Sequence, residues 1–294
     1  MVDVFAEEPL AGNQLAVVLD AHDIPASVMQ RIAKEMNIAE TAFVLPPDDP
    51  ANAARVRIFT PSVEMPLAGH PTVGTAWVMY TQGLVPGGAS EFTLEEIVGP
   101  VRVRGIKSAA GMTFWLTNRA LSFGDTFAQR KEIATAIGLT EADLLPQVPI
   151  QEVTTGNPFA FVAARDARAV DAAVPDERRL AEVFRGRAQL SIYLFAPVGD
   201  LRLYGRMFAG HVLGIREDPA TGSAAGPLGA FAVRHGLLPK AARVEAVCEQ
   251  GTKLSRQSFI RIELSYPAKG DLPTRIDVGG SVQPVLVGTL SEFA

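Results

Sequence analysis

Two stretches decide how this chain is read: Glu64-Met-Pro-Leu-Ala-Gly-His-Pro-Thr-Val-Gly-Thr-Ala76 and Glu217-Asp-Pro-Ala-Thr-Gly-Ser-Ala-Ala-Gly-Pro-Leu-Gly-Ala230. Each places a polar, glycine-containing turn directly before a segment that is apolar nearly all round, Thr72–Tyr80 in the first case and Ala224–Val233 in the second. A helix with no polar face has to be buried, as when a sheet wraps around it. His235-Gly236 closes the second helix with a residue suited to a left-handed cap. The turns at Gly69 and Gly222 lie about 150 residues apart, roughly one domain length. We expect a degenerate tandem duplication with one central helix in each half.

The flanking sequence is mostly strand. Val2 and Val4 alternate with polar neighbours, and Leu15–Leu19 and Thr41–Leu45 are short apolar runs. Arg55–Phe59, Val101–Arg104, Met112–Leu116 and Phe259–Leu264 alternate with period two, the pattern of sheets buried on one face. Amphipathic helices are predicted at Ser27–Met36, after Pro25, and at Lys131–Ile137, ending at Gly138. The expected class is α+β, with two similar units, each a curved, mostly antiparallel sheet around a buried helix. The boundary is placed at a polar turn near Asn118–Gly124, and the closing segment is expected to return to the first unit. That gives residues 1–120 plus 279–294 as one domain and 121–278 as the other.

Bulk properties narrow the function. Of 294 residues 48% are hydrophobic and 20% charged, as in a globular protein with a real core. A net charge of −5 with scattered Lys and Arg argues against nucleic acid as a partner. The single cysteine, Cys248, permits neither an intramolecular disulfide nor a cysteine zinc cluster. His22, His70, His211 and His235 form no HxxxH or HxH pair, so no metal is expected. No apolar run approaches the ~20 residues of a membrane span, and no signal peptide is evident, so a cytoplasmic location is expected.

The two turns also suggest chemistry. The free N–H groups in the first turn of a helix, at its positive end, suit a carboxylate or other anion. Glycine lets that backbone approach a ligand without a Cβ in the way. Two such ends facing each other would make a cleft for a small anionic substrate. Alone, Thr-Gly-Ser is also an ordinary cap and Gly-His-Pro an ordinary turn; their matching placement in both halves favours a site. Neither is a P-loop or a GxGxxG motif. A third stretch, Asn37-Ile-Ala-Glu40-Thr-Ala-Phe43, puts Glu40 between a helix and a strand, where a side chain projects either into a cleft or into solvent. A partly desolvated glutamate there would have a raised pKa suited to shuttling protons.

Taken together, these stretches resemble the PhzF family, named for an isomerase of phenazine biosynthesis. Asn37–Phe43 matches the family's Asn-x-Ser/Ala-Glu-Thr-x-Phe segment, and Pro66–Ala76 its Pro-Phe-Ala-Gly-His-Pro-Thr-x-Gly-Thr-Ala segment. Glu217–Ala224 matches its most specific signature, while Gly12-Asn13 and Thr155-Gly156-x-Pro158 fit two further positions. The likeness spans nearly the whole chain. It implies a diaminopimelate-epimerase-like fold and an isomerase needing no cofactor, with Glu40 moving a proton between two carbons of one substrate. His70 and Asp218 match residues that line the family's site. The resemblance assigns Asn13, Gly69, Thr221, Gly222 and Ser223 to substrate binding, and it implies a homodimer.

Departures from the pattern are equally specific. The epimerases' thiol pair is missing, because Ala68 and Asp218–Ser223 contain no cysteine. The family's Gly-Arg-Pro-Ser is reduced to Arg256 and Ser258, which questions any ligand or dimer role for that loop. Leu67 stands where Phe is common, and the opening strand is expected to be short. Two rival readings remain open: a non-catalytic small-molecule binding protein on the same fold, and an amino-acid epimerase or racemase.

Overall fold

The computed structural model describes residues 1–108, 111–118, 120–187, 190–209 and 216–291, so His211 and Arg119 lie outside the described residues. In the first half, strands β1 (Val2–Val4), β2 (Asn13–Val18), β3 (Glu40–Leu45), β4 (Ala54–Phe59), β5 (Glu64–Met65), β6 (Glu91–Glu96), β7 (Gly99–Ser108) and β8 (Gly111–Thr117) carry helices α1 (Ala26–Met36) and α2 (Gly69–Thr81). In the second half, β9 (Ser122–Phe127), β10 (Ile150–Thr154), β11 (Pro158–Ala163), β12 (Ser191–Gly199), β13 (Arg202–Phe208), β14 (Glu217–Asp218), β15 (Arg243–Gln250), β16 (Ser258–Ser265) and β17 (Arg275–Pro284) carry α3 (Arg130–Ala136), α4 (Ala167–Ala172), α5 (Glu177–Val183) and α6 (Gly222–Arg234).

The pairing pattern occurs twice. β1 to β8 run antiparallel β1–β2, parallel β2–β3, antiparallel β3–β4 and β4–β5, parallel β4–β6, then antiparallel β6–β7 and β7–β8. β10 to β17 repeat that order of parallel and antiparallel steps, with β14 left out of the main ring as β5 is. β17 also pairs with β8 and β1, which closes the first set of strands into a barrel of mixed sheet. The core follows from this closure. Ten residues of α2, from Gly69 to Met79, and eleven of α6, from Gly222 to Val233, are buried. α2 packs on strands of the first ring, and Phe231 of α6 stacks on Phe161 of β11 with ring centroids 5.6 Å apart.

One local expectation is corrected. The segment expected as a polar turn to Gly124 is already strand from Ser122, where β9 pairs with β10. The helix expected at Lys131–Ile137 is α3, Arg130–Ala136, and it lies between β9 and β10. The elements between β11 and β12, where α1's counterpart belongs, are α4 and α5, whose six and seven residues are too short to show a helical period. They rely instead on side-chain caps from Asp166 and Asp176.

The matching pairing order extends to individual residues. Arg57 of β4 forms a two-point ion pair with Glu64 of β5 at 2.7 and 2.8 Å and lies over the Phe59 ring. Arg206 of β13 pairs in the same way with Glu217 of β14, at 2.8 Å twice, and lies over Phe208. From each glutamate the chain then reads Glu-x-Pro-x-x-Gly into the central helix.

Candidate active site

The amino ends of α2 and α6 meet. A Cβ on Gly69 would lie 2.8 Å from Gly222 C and 2.8 Å from Ser223 N, so only glycine permits this approach. Neither helix has a side-chain cap: Ala68 has none to offer, and the Thr221 hydroxyl is turned elsewhere. The first-turn N–H groups of both helices therefore border one cleft of about 290 Å³. Its lining includes Glu40, Gly69, His70, Asp218, Thr221, Gly222 and Ser223, with an apolar wall of Val63, Met65, Pro66, Phe159 and Met207. Among the described residues no Lys or Arg lines it, so positive potential there comes from the two helix ends.

Glu40 is the first residue of β3 and reaches the cleft because α1 ends on Asn37 in a left-handed conformation (φ 49°), which redirects the chain. Its side chain is 16% exposed, and Oε2 lies 3.2 Å from His70 Nε2 without an aligned hydrogen bond. Burial, and next the nearby Asp218 carboxylate, push the Glu40 carboxyl well above the ordinary glutamate range. His70, the second residue of α2, is fixed by the backbone. Its Nε2 faces Gln14 O at 3.3 Å, a carbonyl that can only accept, so the proton sits on Nε2 and the bare Nδ1 lies 3.2 Å from Asn13 Nδ2. Burial drives the imidazole down to about 3, so it is a neutral donor throughout the physiological range.

Asp218 ends β14 beside α6. Asn13 Nδ2 donates to its Oδ1 at 2.7 Å and to Ala220 O at 3.0 Å, and the Thr221 hydroxyl donates to Oδ2 at 2.7 Å. Burial raises this carboxyl to about 6 despite those donors. Two carboxyl groups with raised proton affinity and one neutral imidazole thus share a cleft bounded by uncapped helix ends. The arrangement suits reversible proton transfer at a carbon of a bound anion.

Asn13 and Thr221 therefore hold Asp218 through their side chains, while Gly69, Gly222 and Ser223 supply backbone. The sequence reading missed Gln250, which is fully buried beneath Thr221, and the apolar wall from Val63, Phe159 and Met207. Arg256 and Ser258 lie outside the lining. Arg256 Nη2 reaches Asp3 and Ala11 O, its Nε donates to Gly12 O at 3.0 Å, and Ser258 Oγ donates back to Arg256 O. The altered loop thus braces the turn before Asn13. Cys248 is buried against the Tyr193 hydroxyl at 3.3 Å and pushed up to about 12, which removes it from nucleophilic use.

Fold and site together define a mixed-sheet barrel protein with a cleft where two helix ends meet. A family model described as phenazine biosynthesis-like protein, PhzC-PhzF, matches residues 2–288, and the chain belongs to that family. It is 35% identical over 290 residues to a trans-2,3-dihydro-3-hydroxyanthranilate isomerase of Pseudomonas chlororaphis, covering 96% of this chain and 94% of that one. It is 34% identical to the uncharacterized isomerase YddE of Escherichia coli O157:H7, with 95% and 93% covered. Among solved structures, a PhzF-family phenazine biosynthesis protein of Bacillus anthracis superposes with a TM-score of 0.87 at 27% identity over 96% of this chain and 94% of that one. A predicted epimerase of Pseudomonas aeruginosa superposes with a TM-score of 0.80 at 32% identity, covering 99% and 98%. Among the described residues no helix is long and apolar enough to cross a membrane.

Proposed function

We propose that this protein is a cofactor-independent isomerase that moves a proton within a small carboxylate-bearing substrate, with Glu40 as acid and base. One observation carries the reading: a buried carboxyl, one of whose oxygens has no hydrogen-bond partner among the described residues, in a cleft where two uncapped helix ends converge. The substrate carboxylate sits against the N–H groups of Gly69, His70, Gly222 and Ser223. Ionised Glu40 takes a proton from an activated C–H, and the electron pair spreads through the adjoining double bond toward the carboxylate. The same carboxyl returns the proton at the far carbon, so a double bond moves and nothing else is consumed. His70, beside Glu40, and Asp218, held by Asn13 and Thr221, orient the substrate.

The apolar wall favours a carbocyclic or diene body, and the isomerases of Pseudomonas supply a first probe. Thiol-based racemisation has no support, because no cysteine lines the cleft. The same proposal includes a division into residues 1–120 plus 279–294 and 121–278, supported by the twofold pairing pattern, and a homodimer, suggested by resemblance alone. The test is a panel of carboxylated dienes and dihydroaromatic acids, including trans-2,3-dihydro-3-hydroxyanthranilate, followed by NMR with wild type and Glu40→Gln. Double-bond migration that needs Glu40 supports the isomerase. Tight binding with no migration of any compound supports the binding-protein reading instead.

A further inference from the structure

Gln250 is absent from the cleft lining, yet three of the four hydrogen bonds of its amide go to the turn that carries Asp218, and the fourth comes from Tyr193. Its Nε2 donates to Asp218 O at 2.7 Å and to Thr221 Oγ1 at 3.0 Å. Its Oε1 accepts from Thr221 N at 3.1 Å and from the Tyr193 hydroxyl at 2.7 Å. The amide leaves Thr221 Oγ1 only one use for its proton, the bond to Asp218 Oδ2. One side chain thus sets both the carboxylate's rotation and the position of the N–H groups that open α6.

The following residues hold the other side of the same site. Gly251 (φ 79°) is wedged so that a Cβ would lie 2.5 Å from Pro219 O and 2.3 Å from Arg256 O. Arg256 then grips Ala11 and Gly12, immediately before Asn13, and Gly12 N donates to Gln257 O. Gln250 and Arg256 are therefore the two ends of one braced segment, and Asn13 and Asp218 are bonded to each other between its grips. We propose that Gln250 is a positioning residue, which locks Asp218 and the amino end of α6 into one unit and so sets the ionisation of the cleft. The use of that ionisation in turnover rests on the isomerase reading; the lock itself does not.

The groups facing Asp218 are Asn13, Thr221, Glu40 and Glu217, with His70 reached through Asn13 and Tyr193 through Gln250. In Gln250→Met, Thr221 is free to turn its hydroxyl away, and Asp218 loses a donor that favours its ionised form. The experiment is 13C carboxyl NMR of free wild type and Gln250→Met between pH 4 and 9, with thermal melting alongside. The Asp218 midpoint is expected to rise by about half a pH unit or more. Gln250→Glu, which regains one donor when protonated, should fall between the two. A variant that melts earlier but keeps the Asp218 midpoint of wild type overturns the proposal, because a merely structural glutamine would do that. If neither Gln250 variant folds, Tyr193→Phe loosens the Gln250 amide and leaves the Thr221–Asp218 bond in place; a smaller rise of the Asp218 midpoint is expected, and an unchanged midpoint overturns the proposal. Since no substrate is present, failure of the dihydro acid to react would count against the isomerase reading alone. With that acid as probe, the acidic limb of kcat/KM should move in step with the Asp218 midpoint.

Discussion

Glu96 provides a test of how firmly the first turn of α2 is buried. It ends β6 in a tight hairpin, is 7% exposed, and its Oε2 has no hydrogen-bond partner. Thr72 Oγ1 lies 2.5 Å from Glu96 Oε1 and 2.8 Å from Ala68 O. One hydroxyl has one proton, so both contacts are satisfied together when the Glu96 carboxyl is itself protonated. Burial accordingly pushes Glu96 from the usual 4.5 up to about 8. The folded protein holds this proton more tightly than the unfolded chain, so stability falls as the pH rises from 4.5 to about 8 and levels off above it. Each tenfold difference in proton affinity is worth about 1.4 kcal/mol, which sets a ceiling of about 5 kcal/mol. Water reaching the carboxylate on local opening reduces the realised effect to about 2–3 kcal/mol. Glu96→Gln keeps the shape and cannot ionise. Urea denaturation of the two proteins should give nearly equal stabilities at pH 5 and a variant more stable by about 2–3 kcal/mol at pH 8.5. Parallel stability curves across that range would refute the reasoning.

Other consequences follow from the same geometry. Gly69→Ala forces a methyl into the Gly222–Ser223 backbone and should cost about 1–3 kcal/mol, seen as an earlier urea midpoint together with weaker substrate binding. Arg206→Lys should destabilise more than Arg57→Lys, because both lose a two-point ion pair but Arg206 is 9% exposed against 26% for Arg57. Paired melting curves decide between them. His70, held down to about 3 by burial, should show a proton on Nε2 and no titration between pH 5 and 9 in 15N NMR. A midpoint near 6.5 would contradict the assigned environment.

The buried helices α2 and α6 were legible because Thr72–Tyr80 and Ala224–Val233 lack any polar face, a signal that does not depend on knowing the neighbours. Glu40, His70 and Asp218 were legible because their flanking residues match a family pattern. Nothing in composition would have singled out Glu40, whose raised proton affinity arises from the walls around it. Gln250 was hidden for a related reason: the three residues that its four hydrogen bonds reach lie 29 to 57 residues away in sequence. The paired Arg57–Glu64 and Arg206–Glu217 clamps were also missed. Their spacings differ, at seven and eleven residues, although both complete the same junction between a long strand and a two-residue one.

The claim that Glu40 carries the proton is tested most directly by single-turnover NMR in D2O with trans-2,3-dihydro-3-hydroxyanthranilate, comparing wild type with Glu40→Gln. The account predicts double-bond migration by wild type, with hydrogen or deuterium delivered to one face of the far carbon. It also predicts a variant that folds, binds the acid and leaves it unchanged. Migration at an undiminished rate in Glu40→Gln would contradict it.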